Sequence, residues 1–427
     1  MVLSNESGAI YFREKGHAVY GKVNTPLSIV THLNNTNDKR WVWVKPLAVG
    51  FCGSDYEGGW LKFPTGSRRF DNPDYPAVAG HENISVLLGG SEESLRHLEQ
   101  RGISIGDYVV ADVNIGCGYC KNDSVGKPPI QCVNGAIFAG IGTPPDSEKW
   151  LYEQTGRTHL PGAYVAEGGF MIVPGENVHK VPNEYITQDG IQLYTQADGI
   201  ACGLSTLEKL ALGSISPNNS LRYPSILILG AGHIGYLNGR VIKERVPEAR
   251  LFYADIDEQN LQNTSKSLGI SGENLYHVNP AKPNSYSRKE LINGFEDLRK
   301  LNLNGRERPI DYVIDCTGGN ITGKEIMHLL LKVISQGGKF VTNSLNIRGT
   351  INMAHPQVMF DQQSVTCSIS PNNNIPAAIQ FLHENAAEFS ASLVEIEGGL
   401  SKELAHFVQN GKVDSASRGN AYYTILE

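Results

Sequence analysis

Residues 225–235 have the sequence SILILGAGHIG, in which an apolar run leads into a glycine-rich loop. The apolar run predicts a buried strand, and the residues after the loop predict a helix. A GxGxxG loop between a strand and a helix is typical of dinucleotide-binding folds. There the first glycine allows a tight turn, the second lets the backbone approach the pyrophosphate, and the third lets the helix pack on the strand. The stretch therefore predicts a dinucleotide site, and a purely structural glycine turn is the alternative.

The sequence after this loop alternates predicted strands with predicted helices. The further strands are ARLFYADID at 249–257, YVIDC at 312–316 and GKFVTN at 338–343. Such alternation predicts a parallel, doubly wound sheet, hence an α/β fold. Asp255 ends the second of these strands, 20 residues after the last glycine of the loop. A carboxylate at this place binds the adenosine ribose of NAD.

The charges around Asp255 favour NAD over NADP. Asp257 adds a second negative charge, and no Arg or Lys lies between Asp255 and Asn263 to pair with a 2′-phosphate. A phosphate that faces an unpaired carboxylate is repelled. We assign cofactor binding to residues of the loop and of the strand ends, with a backbone role alone for the histidine: Gly230, Gly232, His233, Ile234, Gly235, Asp255 and Thr317.

The composition of the 427 residues excludes several classes of protein. Hydrophobic residues make up 40% and charged residues 19%, which is ordinary for a globular protein, and the net charge is −7. Because there is no basic stripe and no apolar run of about 18 residues, we expect no nucleic-acid partner and no membrane span. The N-terminal residues lack a secretory signal pattern. Seven cysteines are too few for a disulfide scaffold, so we expect a cytoplasmic protein.

The part of the chain before residue 198 is predicted to be rich in β-strands. Residues 40–51, RWVWVKPLAVGF, and residues 107–115, DYVVADVNI, are β-branched runs of the kind that form strands. Three polar segments are expected to be surface insertions, because long loops are tolerated at the surface. They are residues 91–104, 215–225 and 282–309.

Three short motifs carry groups that can bind a metal ion. They are GFCGSD with Cys52, GHE with His81 and Glu82, and DGIAC with Asp198 and Cys202. A thiolate, an imidazole and a carboxylate from separate loops form the ligand set of a catalytic Zn²⁺, which keeps one position open. Taken singly, a cysteine or a histidine is more often a packed or surface residue.

The order of these motifs resembles the zinc-dependent medium-chain dehydrogenases of the alcohol dehydrogenase superfamily. CGSD, GHE, a cysteine-rich lobe and GxGxxG follow one another over most of the chain, from about Gly8 onward. The polyol and sugar branch, which includes glucose dehydrogenases, is the most similar, because its third motif is followed by a Leu-Glu pair like Leu207 and Glu208. The resemblance implies a GroES-like β-rich catalytic domain, residues 1–203 and 371–427. It also implies a Rossmann NAD-binding domain, residues 204–370.

The same resemblance implies a role for each residue of the motifs. Cys52 and His81 would bind the catalytic zinc. Glu82 would be a direct ligand, an exchanging ligand or a residue behind the ligands. Ser54 would relay the proton of the substrate hydroxyl, and Asp55 would orient a ligand.

The third zinc ligand has two candidates. Asp198 stands where the polyol branch has a Glu, so its carboxylate is one methylene shorter and could also reach zinc through water. CGLST, which begins at Cys202, resembles the alcohol dehydrogenase segment in which the cysteine is the third ligand. The Leu-Glu pair that follows fits the polyol pattern better, which favours Asp198.

Cys117, Cys120 and Cys132 form a cysteine lobe, where the family often binds a second, structural zinc through four cysteines. Asp123 stands at the third of these positions, and the spacing to Cys132 is one residue longer than in the family. Three thiolates and a carboxylate could bind zinc, although closed structural sites usually have only Cys and His. A lobe that is held by packing, with three thiols, is an equal alternative.

Together these parts predict a zinc-dependent oxidoreductase that transfers a hydride between a secondary alcohol of a sugar, cyclitol or polyol and NAD. Glucose itself is not expected, because VNGAIFAGIG after Cys132 lacks the acidic residues that the family uses near its sugar. The family also implies a homodimer or homotetramer. Two alternatives stay open: an NAD-binding lyase or epimerase that oxidises its substrate transiently, and a dinucleotide-binding regulator without catalysis.

Overall fold

The computed structural model divides the chain into two compact units, residues 1–201 with 372–427 and residues 202–371. It describes residues 6–14, 17–24, 40–50, 77–78, 80–112, 114–116, 121–124, 136–137, 141–142, 170–186, 190–210, 223–277, 310–317, 334–343, 363–368, 371, 373–390, 393–395 and 420–424. Among the described helices, none combines the length and the apolarity needed to cross a lipid bilayer.

The first unit is built mainly from antiparallel strands. In chain order they are β1 Glu6–Glu14, β2 His17–Asn24, β3 Trp41–Gly50, β4 Ala77–Val78, β5 Glu82–Gly90, β6 Tyr108–Ala111, β7 Asn114–Ile115, β8 Ala136–Ile137, β9 Ile141–Gly142, β10 Met171–Pro174 and β11 Val178–Lys180. The main sheet has the order β11-β6-β5-β3, and β10 pairs with β3. Two smaller sheets have the orders β2-β1-β4 and β7-β8-β9. The predicted strands within residues 40–51 and 107–115 are confirmed.

Strand β3 lies in the core of this sheet because its β-branched and aromatic residues are buried on both faces. Trp41 is 2% exposed and Trp43 is 7% exposed, while Val42, Val44 and Val49 are completely buried. A strand that packs on both faces needs such a nearly continuous apolar run. The sequence RWVWVKPLAVGF supplies that run, and β3 therefore fixes the centre of the sheet.

The polar segment 91–104, predicted to be a surface insertion, contains helix α1, Glu92–Gln100, which packs on the first unit. Ser91 caps the helix, because its Oγ accepts a hydrogen bond from the backbone N–H of Ser94 at 3.2 Å. Leu98 is completely buried. Most residues of the segment are exposed, as expected of a surface segment. The sequence analysis did not predict the helix, because a few apolar residues at helical spacing are enough to bury one face of a short helix.

The remaining helical segments of this part of the chain connect the strands. They are α2 Lys121–Ser124, the 3₁₀ turns Gly175–Asn177, Asn183–Tyr185 and Ile191–Gln196, and α3 Ala197–Leu210.

The second unit has a parallel sheet of six described strands with the order β14-β13-β12-β15-β16-β17. The strands are β12 Ser225–Leu229, β13 Arg250–Asp255, β14 Leu275–His277, β15 Ile310–Asp315, β16 Ile334–Thr342 and β17 Ser364–Cys367. Helix α4, His233–Arg245, connects β12 to β13, and α5, Glu258–Leu268, leads on towards β14. Numbered within the unit, this is the strand order 3-2-1-4-5-6 of the Rossmann fold, so the predicted doubly wound sheet is confirmed.

The chain ends with elements of the first unit. Helices Ile375–Glu384 and Ala386–Ser390 are followed by strands β18 Leu393–Glu395 and β19 Asn420–Thr424. Strand β19 pairs with the far edge of β3, and β18 pairs with β19. The main sheet of the first unit is thus completed by the last part of the chain.

Close packing of α4 on β13 supports the glycine loop of the second unit. Tyr253 of β13 is completely buried, and its hydroxyl donates a hydrogen bond to the carbonyl of Gly235 at 3.1 Å. A Cβ at Gly239 of α4 would lie 1.7 Å from the Tyr253 hydroxyl. Only a residue without a side chain therefore lets the helix approach this strand.

Candidate functional site

His81 and Glu82 lie where the chain enters β5. Gly80, just before them, has a φ of +83°, a left-handed conformation that favours glycine. The side chains are buried: His81 is 6% exposed and Glu82 is 2% exposed. Gly50 of β3 pairs with Glu82, and a Cβ at Gly50 would come within 2.7 Å of Glu82 Oε2. The glycine on the neighbouring strand therefore leaves space for the Glu82 carboxylate.

Asp198 completes a cluster of three groups that can ligate a metal. It is the second residue of α3. One ligand atom each from His81, Glu82 and Asp198 lies within 4.8 Å of the other two. An imidazole nitrogen and carboxylate oxygens are ligands that Zn²⁺ accepts. The donor set and its separation therefore fit a zinc ion, and we call these three residues the metal cluster.

The structure brings Asp198, and not Cys202, to His81 and Glu82. Cys202 lies one helical turn after Asp198 in α3 and is not a member of the metal cluster among the described residues. The shorter side chain of Asp198, compared with the Glu of the polyol branch, does not keep it from this cluster. The geometry therefore supports the Asp198 alternative.

The other predicted residues of the metal chemistry lie outside the described part of the chain. They are Cys52, Ser54 and Asp55 of the first motif and Cys117, Cys120 and Cys132 of the cysteine lobe. Their roles as zinc ligands, proton relay and orienting group stay predictions. Arg40 Nη2 donates a hydrogen bond to the carbonyl of Gly116 at 2.6 Å, so the residue before the lobe is tied to the start of β3.

A further buried acid, Asp112, was missed by the sequence reasoning. It follows β6 directly and is 4% exposed. Its Oδ1 accepts hydrogen bonds from the backbone N–H of Asn114 at 2.8 Å and from Asn114 Nδ2 at 3.1 Å. Burial raises the pKa of Asp112 to about 7, the negative charge of Asp198 adds to the rise, and the Asn114 hydrogen bonds oppose it. An acid placed directly after the buried run YVVA was the signal available in the sequence.

The glycine loop has the geometry that a pyrophosphate needs. Gly230 has a φ of +91°, and a Cβ there would lie 2.9 Å from the carbonyl oxygen of Cys316. A Cβ at Gly235 would lie 1.9 Å from the Gly230 oxygen, whereas no heavy atom lies within 4 Å of a Cβ at Gly232. Close packing therefore leaves no room for a side chain at Gly230 or Gly235, whereas Gly232 borders open space next to the N-terminus of α4. Such a helix N-terminus binds phosphate, so the loop fits a dinucleotide.

The carboxylate of Asp255 lies at the glycine loop, at the end of β13. Its Oδ2 accepts a hydrogen bond from the backbone N–H of Ala231 at 2.5 Å, and its Oδ1 accepts one from the N–H of Asp257 at 2.8 Å. Asp257 caps α5, because its Oδ1 accepts from the N–H of Asn260 at 3.2 Å. The parallel register also places His277 of β14 opposite Asp255. His277 lies 22 residues after Asp255, so the residues next to Asp255 in the sequence did not indicate this neighbour.

The remaining predicted cofactor residues flank the same edge of the sheet. His233 and Ile234 are the first two residues of α4. Burial lowers the pKa of His233 to about 4, so the neutral imidazole adds no positive charge to the loop. Thr317 follows β15, and its N–H and hydroxyl both donate to Asp315 Oδ1, at 3.0 Å and 2.6 Å. These bonds fix the chain where β15 ends beside β12.

Comparison with known proteins finds dehydrogenases that are similar to this chain. Residues 38–183 match the model of the alcohol dehydrogenase GroES-like domain. An uncharacterized zinc-type alcohol dehydrogenase-like protein of Haemophilus influenzae is 26% identical over 295 residues, which are 67% of this chain and 65% of that protein. A D-altritol 5-dehydrogenase of Agrobacterium fabrum is 23% identical over 406 residues, 94% of this chain and 95% of that enzyme.

A solved structure shows the same fold along the whole chain. A Sinorhizobium meliloti 1021 protein, provisionally identified as a zinc-binding dehydrogenase and bound to NADP, superposes with a TM-score of 0.68. The identity is 17%, and the alignment covers 99% of this chain and 100% of that protein. The architecture of a GroES-like domain joined to a Rossmann domain is therefore confirmed.

Proposed function

We propose that the chain is a zinc-type medium-chain dehydrogenase and that it transfers a hydride between NAD and a secondary alcohol of a sugar, cyclitol or polyol. The match of residues 38–183 to the alcohol dehydrogenase GroES-like domain and the similarity to a zinc-type alcohol dehydrogenase-like protein support this proposal. The observation that carries this proposal is the metal cluster of the first unit, in which His81 and Glu82 are buried and Asp198 is partly buried. The second unit adds a phosphate-binding loop of dinucleotide type. A dehydrogenase needs both a group that acidifies the alcohol and a cofactor that accepts the hydride.

The chain's residues would hold the metal and manage the substrate proton. Cys52 and His81 would bind zinc, with Asp198 as the carboxylate ligand and Glu82 either on the metal or behind it. Bound zinc supplies a Lewis acid that makes the substrate hydroxyl more acidic. Ser54 would accept the hydroxyl proton and pass it towards solvent. The burial of His81 and Glu82 keeps bulk water from competing for their side chains.

The second unit would hold and orient the cofactor. The backbone of the glycine loop and the N-terminus of α4 would bind the pyrophosphate. Asp255 would bind the adenosine ribose, and its charge, together with that of Asp257, would repel a 2′-phosphate. NAD is therefore the proposed cofactor. The structural neighbour from Sinorhizobium meliloti contains NADP. The ratio of kcat/KM for NAD⁺ to kcat/KM for NADP⁺ is therefore a direct test of this proposal.

The substrate class is supported by one relative that covers almost the entire chain. The Agrobacterium fabrum enzyme that is aligned over 94% of this chain acts, by its name, on the polyol D-altritol. A polyol, sugar or cyclitol offers adjacent hydroxyls, one of which would lose the hydride. The cytoplasmic location and the homo-oligomeric assembly expected from the sequence stay predictions.

A cofactor-reduction screen tests this function. Zinc-loaded protein is mixed with NAD⁺ or NADP⁺ and with simple alcohols, polyols, sugars and cyclitols, and release of the reduced cofactor is followed by absorbance. We expect release of NADH with at least one polyhydroxylated substrate, and its loss in His81→Ala. His97→Ala, which changes an exposed histidine of α1, is the matched control and should keep the activity. Turnover of a substrate without any release of NADH would instead support the lyase or epimerase alternative.

A further inference from the structure

A side-chain amide bridges strands β5 and β6 at the end of β5 that carries the metal cluster. The strands pair at Ser85 with Val109 and at Val86 with Tyr108. Continuing this register towards the start of β5 sets Asn83 opposite Ala111. There Asn83 Nδ2 donates to the Ala111 carbonyl at 3.3 Å, and Asn83 Oδ1 accepts from the Ala111 N–H at 3.4 Å. The carboxamide thus pairs with Ala111 much as a backbone peptide group would.

The same amide also holds the backbone of His81. Asn83 Nδ2 donates a second hydrogen bond to the His81 carbonyl at 3.1 Å, and the hydroxyl of Ser85 donates to Asn83 Oδ1 at 3.0 Å. Asn83 is 2% exposed and Ser85 is completely buried. Both amide protons are therefore used, and the amide oxygen accepts twice. Because each partner requires a particular end of the amide, its orientation is fixed.

The partner strand is itself anchored just beyond Ala111. Asn177 Nδ2 donates to the carbonyls of Asp112 at 2.8 Å and Asn114 at 2.5 Å. The N–H of Asp112 returns a hydrogen bond to the Asn177 carbonyl at 2.8 Å. Asn177 is 3% exposed. Asn83 therefore ties His81 to a segment that cannot shift without breaking several buried hydrogen bonds.

We infer that Asn83 is a positioning residue of the metal cluster, because its amide fixes the His81 backbone and so the approach of the His81 and Glu82 side chains to a bound zinc ion. Residues that orient metal ligands contribute strongly to metal affinity and geometry. The inference deepens the proposed function and rests on it. An amide that only filled a gap in the sheet would affect stability and leave the metal unchanged.

The experiment compares Asn83→Ala with a variant of the same unit that is also buried. Ser91→Ala is the matched control, because it removes the cap of α1 just after the far end of β5. Both variants are expected to lower the melting temperature. Asn83→Ala should also lower zinc affinity, measured by competition with a chelating dye, by about 10- to 100-fold. It should shift the visible absorption bands of the cobalt-loaded protein, which report ligand geometry. Ser91→Ala should change neither.

A milder variant keeps the test decisive if Asn83→Ala does not fold. Ser85→Ala removes one hydrogen bond from the amide oxygen and should shift the cobalt bands in the same direction by a smaller amount. Zinc affinity and cobalt bands that match the wild type in whichever of these variants folds overturn the positioning role. A wild-type protein that binds neither zinc nor cobalt overturns the proposed function itself, together with the inference that rests on it.

Discussion

Replacing Asp112 by Asn should stabilise the metal-free protein above neutral pH and flatten the dependence of its stability on pH. In the folded protein the pKa of Asp112 is raised from 3.8 to about 7, mainly by burial and further by the charge of Asp198. Between these two values the folded state keeps a proton that the unfolded state has lost. The free energy of unfolding of the wild type must therefore fall as the pH rises through this window, and level off above it.

The magnitude follows from the size of the shift. Each pKa unit corresponds to about 1.4 kcal/mol, so the rise from 3.8 to about 7 sets an upper limit of about 4 kcal/mol on the stability lost across the window. Asn cannot ionise, and its oxygen can still accept both hydrogen bonds from Asn114. The variant should therefore lose this contribution to the pH dependence without losing the local structure.

Urea unfolding monitored by tryptophan fluorescence reports on the unit that contains Asp112. The chain has four tryptophans, Trp41, Trp43, Trp60 and Trp150, and all belong to the unit formed by residues 1–201 and 372–427. Wild type and Asp112→Asn are compared in chelator from about pH 4 to about pH 8, where linkage predicts the largest difference. Zinc loading is the control, because a nearby cation lowers the pKa of an acid and should reduce the difference. Stability curves of the two metal-free proteins that run parallel over this range refute the reasoning.

Three further predictions follow from particular contacts. Gly239→Ala should destabilise the second unit by about 1–3 kcal/mol, measured by urea unfolding monitored by circular dichroism, because the added Cβ would lie 1.7 Å from the Tyr253 hydroxyl. Adding Tyr253→Phe to this variant should recover part of the lost stability, and no recovery would show that the hydroxyl is not the obstacle. Asp255→Ala should lower the ratio of kcat/KM for NAD⁺ to kcat/KM for NADP⁺, mainly by weakening the binding of NAD⁺. A wild-type protein with the higher kcat/KM for NADP⁺ would show that the assignment of this carboxylate is wrong. Gly50→Ala should lower zinc affinity about 10- to 100-fold by displacing the Glu82 carboxylate, measured by dye competition, and unchanged affinity would place Glu82 outside the metal site.

The sequence predicted those parts of the molecule that depend on neighbouring residues. The run SILIL, the glycines after it and Asp255 at the next strand end are local signals, so the Rossmann sheet and its loop could be inferred directly. The loop needs glycine at Gly230 and Gly235 because backbone atoms approach within 3 Å of the positions where a Cβ would lie. That steric demand is the same in every chain with this turn, which makes the motif transferable.

The parts that the sequence did not predict depend on contacts across strands. Asn83 directly follows Glu82 in the sequence, but only the pairing of β5 with β6 brings Ala111 within reach of its amide. Asp112 is an ordinary polar residue in the sequence, and only the fold brings it close enough to Asp198 for the two charges to interact. The choice between Asp198 and Cys202 likewise depends on which face of α3 meets β5, which spacing alone does not determine. Helix α1 was hidden because its buried face needs few apolar residues in a polar segment.

Restoring zinc to the metal-free protein tests the central claim most directly. Protein stripped by a chelator is titrated with zinc in the presence of NAD⁺ and the best polyhydroxylated substrate, while NADH formation and bound zinc are measured together. We predict that the stripped protein is inactive, that the rate of NADH formation rises in step with zinc bound, and that His81→Ala shows no such rise. A stripped protein that forms NADH at the full rate would contradict the account.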